Sequence, residues 1–154
     1  MTDTSLTIET ILTPELARCR VAGTSKKRVL EFISESIHQQ YPDLDAGQIF
    51  NNLVARERLG STGIGQGIAI PHCRLDGCSQ VIGVLVTLEE GVGFDAIDNQ
   101  PVDLLFTLIV PKEATSEHLE LLSQLAEKFN EQSFCNELRQ CSDNETLYNR
   151  MIGA

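Results

Sequence analysis

The chain has 154 residues, 42% hydrophobic and 22% charged, which suits one globular domain spanning 1–154 with a substantial buried core. Twelve Lys and Arg stand against 22 Asp and Glu, a formal charge of −10. That balance, with no Trp and two Tyr, speaks against direct nucleic-acid binding and favours a basic protein partner drawn by opposite charge.

The start, Met-Thr-Asp-Thr-Ser, lacks the basic and apolar segments of a signal peptide, and five cysteines read as reduced thiols make a cytoplasmic protein the expectation. Thr13-Pro14 reads as a turn or a short helix start. From Ser25 to Gln40, Val29, Phe32, Ile33, Ser36 and Ile37 recur at three- and four-residue spacing, the stripe of an amphipathic helix. Its opening Lys26-Lys27-Arg28 reads as a solvated first turn, and Tyr41-Pro42-Asp43 ends it. A second helix begins after Asp45, an N-cap residue with Gln48 placed for a capping box, and buries Ile49, Phe50, Leu53 and Val54. Its last turn carries Arg56 and Arg58.

Four glycines follow within eight positions, Gly60, Gly63, Gly65 and Gly67. Glycine adds no side chain to a core, so such a cluster serves close backbone approach or positive φ. The short apolar run Ile68-Ala69-Ile70 reads as a buried strand. Pro71 then pushes Ile70 toward extended geometry and leaves His72 where that strand stops. Val81–Leu88 and Val102–Val110 are unbroken apolar runs, the pattern of strands covered on both faces, and both are too short to span a bilayer. Glu90-Gly91-Val92-Gly93 and Asp98-Asn99-Gln100-Pro101 are turn signals between them. A helix over about Ser116–Asn130 buries Leu119, Leu122, Ala126 and Phe129, with His118 in its first turn. One or two short helices close the chain, and Ser142-x-x-Glu145 reads as a capping box. Helices flanking buried strands imply an α/β layer architecture. The five cysteines are odd in number and show no C-x-x-C spacing, so they read as reduced thiols.

His72 is the residue that could carry chemistry. A histidine at a strand end is most often satisfied by a backbone carbonyl. Here it adjoins the glycine-rich loop, and neutral imidazole is a nucleophile that forms covalent intermediates. A phosphoryl group on that ring would find donors in the loop N–H groups, the Ser61 and Thr62 hydroxyls and the Arg56 guanidinium. No Gly-Lys-Ser/Thr follows the glycines, so a Walker A loop is excluded. The glycines precede a strand instead of opening a helix, so the dinucleotide pattern fails too. His72, Cys73 and Cys78 lack a fourth ligand and the usual spacing for zinc. Cys73 gives no sign of a thiolate, and Glu57 and Glu31, beside cations on helices, read as surface charges. His72, Arg56 and His118 together would make a coherent phosphate site.

The run Arg56-Glu57-Arg58-Leu59-Gly60-Ser61-Thr62-Gly63-Ile64-Gly65-Gln66-Gly67-Ile68-Ala69-Ile70-Pro71-His72 closely resembles the phosphorylation-site signature of the fructose/mannitol-class IIA domains of the bacterial phosphotransferase system. The match extends to Ser25-Lys26-Lys27, Phe94–Asp103 and Glu117-His118-Leu119, and its stand-alone form looks most like the nitrogen-regulatory branch. The resemblance implies a mixed, about five-stranded sheet flanked by helices on both faces. It also implies that His72 is phosphorylated on Nε2, that Arg56 clamps the phosphoryl group, and that His118 is the second active-site imidazole. Gly60, Ser61, Thr62 and Gly63 would form the phosphate loop. The donor would be a histidine phosphocarrier, HPr or its nitrogen-branch paralogue NPr, and no metal or other cofactor is expected. Downstream partners would be regulatory proteins, such as a sensor kinase or potassium-transport regulators. A sugar-specific IIA serving a IIB transporter subunit, or a module that binds without being phosphorylated, are the other readings. The family commonly has Gly after the active histidine, where this chain has Cys73.

Overall fold

A computed structural model describes residues 7–113 and 116–153, with only the backbone at 116, 117 and 119. The elements in chain order are α1 (Ile8–Ile11), β1 (Leu12–Val21), α2 (Lys26–Gln40), α3 (Ala46–Leu59), β2 (Gly63–Gly65), β3 (Ile68–Ala69), β4 (His72–Leu75), β5 (Ile82–Val92), β6 (Val102–Pro111), α4 (Ser116–Phe129), α5 (Gln132–Gln140) and α6 (Asn144–Ile152).

The two apolar runs form the centre. β5 and β6 pair antiparallel from Ile82 opposite Ile109 to Val92 opposite Val102, and β5 is buried without a break from Ile82 to Leu88. Burial on both faces is possible only because helices cover both sides. β1 adds in parallel to the outer side of β5. On the far side of β6, β3 and β4 both pair in parallel, Ile68 opposite Leu104 and His72 opposite Leu108. They are one lane interrupted at Ile70-Pro71. β2 completes the sheet as the antiparallel partner of β3. The mixed sheet therefore has six strands where about five were expected, and the sixth arises because proline splits one lane.

α2 and α3 start where their caps direct. Ser25 Oγ accepts the Arg28 N–H at 3.1 Å, and the Asp45 carboxylate accepts the Gln48 N–H at 2.8 Å. α2 packs on α3, and α3 packs on β4. This stacks the last turn of α3 beside the start of β4. One hydrophobic cluster runs from Ile11 through the sheet to Met151.

Several expectations are corrected. Thr13-Pro14 opens no turn or helix but lies inside β1, an edge strand where a missing N–H is tolerated. β5 continues through Gly91 to Val92, with an irregular register after Thr87. The buried stripe of α4 is Leu121, Leu125 and Phe129, while Leu122 and Ala126 are only partly buried; the side chain of Leu119 lies outside the described residues. The final helix is capped by Asp143, whose carboxylate accepts the Thr146 N–H at 2.7 Å, and not by Ser142. All five cysteines are free thiols. Among the described residues, no helix is long and apolar enough to cross a membrane.

Candidate functional site

His72 opens β4 and does not close β3. Its position is set from both sides of the proline break: the Ile70 N–H donates to Thr62 O at 3.0 Å, and Pro71 O accepts the Leu108 N–H at 2.9 Å. The ring is then fixed by its own backbone. Nδ1 lies 2.8 Å from Ile70 O, and because a carbonyl only accepts, this bond requires the proton on Nδ1. Nε2 is left with a lone pair, which receives the Arg56 Nε–H at 3.3 Å. Burial is the main reason the His72 pKa lies below the ordinary imidazole value. The bond to Ile70 O opposes that shift, Arg56 reinforces it, and Glu57 weakly opposes it. The ring is thus biased toward the neutral, nucleophilic form.

Arg56 comes from the last turn of α3 and has a second bond, from Nη1 to Gly60 O at 2.8 Å. Its fork is held at one tine by the loop and offered at the other to His72. A cavity of about 480 Å³ opens in front of the ring. Asn52, Arg56, His72, Arg74 and His118 supply its polar lining, and its apolar walls include Leu59, Leu108, Val110 and Leu122. His118, from the first turn of α4, reaches the same cavity because α4 follows the end of β6 closely. The three side chains expected to act together therefore surround one space.

The loop side chains bond within the protein. The Ser61 hydroxyl donates to Phe94 O and accepts the Gly63 N–H at 3.0 Å. The Thr62 hydroxyl donates to the Glu57 carboxylate, which also accepts the Thr62 N–H at 3.2 Å. Gly60, Ser61, Thr62 and Gly63 are not among the residues that line the His72 cavity. Both hydroxyls and the N–H groups of Gly60, Thr62 and Gly63 are committed inside the protein, and Gly60 contributes a carbonyl that steadies Arg56. The loop holds the clamp here; it does not contact the cavity itself.

Glu57 is the residue that sequence reasoning misjudged. Its side chain is only 5% exposed and pairs with Lys26 Nζ at 2.9 Å. Lys26 is no solvated first-turn cation either: it lies over the Phe94 ring, 4.6 Å from the centroid. No local signal announces this pair, because its members are 31 residues apart and meet only when α2 packs on α3. Cys73 is buried, and its thiol is pushed up to about 12 by that burial with a smaller contribution from Cys78, which rules out a neutral-pH thiolate beside His72. Among the described residues, no three His, Cys, Asp or Glu side chains gather closely enough to hold a metal ion.

Comparison with known proteins shows the family. Residues 10–152 match the family model described as phosphoenolpyruvate-dependent sugar phosphotransferase system, EIIA 2. The chain is 51% identical over 145 residues to a nitrogen regulatory protein of Pseudomonas aeruginosa, covering 94% of each chain. It is 46% identical over 147 residues to the nitrogen regulatory protein of Escherichia coli, covering 95% of this chain and 90% of that one. Among solved structures, the nitrogen regulatory protein IIA-Ntr of Neisseria meningitidis superposes with a TM-score of 0.88 at 42% identity, over 94% of this chain and 98% of that chain.

Proposed function

The chain belongs to the EIIA 2 family of the phosphoenolpyruvate-dependent sugar phosphotransferase system, and from that premise we propose that it accepts a phosphoryl group on His72 Nε2 and regulates partner proteins by its phosphorylation state. The donor is a histidine phosphocarrier of the HPr or NPr kind, and the protein acts in the cytoplasm. The observation that carries this reading is the paired constraint on one ring: Nδ1–H is tied to Ile70 O, and Nε2 faces Arg56.

The transfer follows from that constraint. The Nε2 lone pair of His72 attacks the phosphorus as the P–N bond to the donor imidazole breaks, and that bond's electrons return to the donor nitrogen. The proton on the far nitrogen of each ring stays in place. Ile70 O accepts the Nδ1–H bond and steadies the positive charge that the ring gains while phosphorus attaches. Exchange between two imidazoles is nearly balanced in energy, so alignment and charge stabilisation are what the protein must provide. Arg56 moves its Nε–H from Nε2 to a phosphoryl oxygen, and His118, across the cavity, offers a further hydrogen bond to that group.

The product carries roughly two added negative charges, as in other phosphorylations, on the rim of a protein whose formal charge is already −10. A partner that docks over the cavity of unmodified His72 would meet altered charge after transfer. The test is incubation with labelled phosphoenolpyruvate, the first enzyme of the system and a histidine phosphocarrier. We expect one acid-labile label per chain on the native protein and none on His72→Ala. Label retained by that variant would remove the reading.

A further inference from the structure

We propose that Lys26 and Glu57 are a positioning pair for His72: Glu57 fixes the loop that fixes Arg56, and Lys26 neutralises Glu57 so that Arg56 stays turned toward the imidazole. The inference rests on the phosphoryl-acceptor reading above and assigns two residues that touch no reacting atom.

Arg56 and Glu57 are consecutive in the last turn of α3, and helical geometry sets them on adjacent faces. Arg56 lines the His72 cavity, whereas Glu57 lines a separate space of about 800 Å³ together with Lys26 and Lys27 of α2. Glu57 has three bonds there. It accepts the N–H and the hydroxyl of Thr62 and takes the Lys26 ammonium at 2.9 Å. Lys26 in turn reaches Phe94 O at 3.5 Å, the same carbonyl that receives the Ser61 hydroxyl. The segment after Gly60 is therefore pinned at two successive residues, and Gly60 O is the atom that holds Arg56 Nη1.

The charge argument makes Lys26 more than a tether. A guanidinium binds carboxylates in a two-pronged geometry that an imidazole cannot match. Without Lys26, a buried carboxylate one residue from Arg56 becomes the better partner, and the clamp leaves His72. The same unneutralised charge repels an incoming phosphoryl group, and it is close enough to act on His72 electrostatically. Asp95, 4.0 Å from Lys26 Nζ but 93% exposed, is too well solvated to take over the pairing.

The experiment measures single-turnover phosphoryl transfer from a phosphorylated histidine carrier to the native protein, Lys26→Met, Lys26→Arg, Glu57→Gln and the double variant Lys26→Met/Glu57→Gln. Thermal unfolding midpoints and the His72 titration, followed by NMR on unphosphorylated protein, accompany it. For Lys26→Met the transfer rate constant should fall by about tenfold or more, with carrier affinity nearly unchanged. Lys26→Arg should restore the rate, and the double variant should transfer faster than Lys26→Met, since it carries no unpaired charge. The His72 titration should also move in Lys26→Met. Rates all within twofold of native, or losses that merely add in the double variant and track the unfolding midpoints, would overturn the pair. Native protein that takes no label would overturn the acceptor reading instead. The pair then stands or falls on the His72 titration, which needs no phosphoryl donor.

Discussion

At the scale of single residues, His72 is a base kept neutral by its surroundings, and that has a stability consequence. Burial, reinforced by Arg56, holds its folded pKa below the 6.5 of an ordinary imidazole. Between those two values the unfolded chain binds a proton that the folded chain does not, so stability rises with pH across that window. Above about pH 6.5 the residue exacts no penalty, and as pH falls toward the folded pKa the penalty grows to its full size. Urea unfolding at pH 7.5 and at about pH 5.5 should therefore show a larger loss for the native protein than for His72→Gln. Equal losses would mean that the folded ring takes up its proton as readily as the unfolded one. The same residue was legible in the sequence, because Pro71 and the glycines before it are local signals. Arg56 was legible only in part: the last turn of α3 carries two arginines before Gly60, Arg56 and Arg58, and position alone does not choose between them. Glu57 was not: a carboxylate beside two arginines looks solvated until a lysine from another helix covers it.

At the scale of elements, the site depends on how closely β2 approaches the segment after β5. A Cβ added at Gly63 would lie 2.8 Å from Ala96 Cβ and 3.1 Å from Ala96 Cα. Ala96 is buried and short, so neither side can yield without moving backbone. Gly63→Ala should cost about 1–3 kcal/mol, the usual range for overpacking, and lower the urea midpoint accordingly. It should also slow phosphoryl acceptance, because a shift of the strand drags Thr62 and Glu57 with it. A native midpoint with native transfer would show that the segment flexes freely. Element type was readable wherever one pattern dominated, an unbroken apolar run or a helical stripe. The runs that became β5 and β6, and the stripes of α2 and α3, are of that kind. β1 was hidden because an edge strand tolerates Pro14 and because its register breaks twice against β5, so its burial follows no clean alternation. The split of one lane into β3 and β4 depends on pairing to β6, a long-range fact that Ile70-Pro71 only hints at.

At the scale of the whole molecule, β6 is the spine on which stability and function meet. Its Leu108 pairs with His72 and lines the cavity, while its Phe106 packs toward Phe129 of α4 at a centroid distance of 6.5 Å. Phe129 also stacks on Phe134 of α5 at 6.2 Å, so it joins the sheet to two helices while 1% exposed. Removing that ring should cost about 3–5 kcal/mol, a large part of the roughly 5–15 kcal/mol by which small domains are stable. Because the apolar cluster from Ile11 to Met151 is continuous, the loss should be felt everywhere at once. Phe129→Ala should unfold in a single transition at lower urea, followed by far-UV circular dichroism because the chain has no Trp. Phosphoryl acceptance at His72 should disappear at the same urea concentration as helicity, in native and variant protein alike. Acceptance lost well before helicity would mean that α4, which brings His118, detaches by itself, and that the cavity is held by local docking instead of by the shared core.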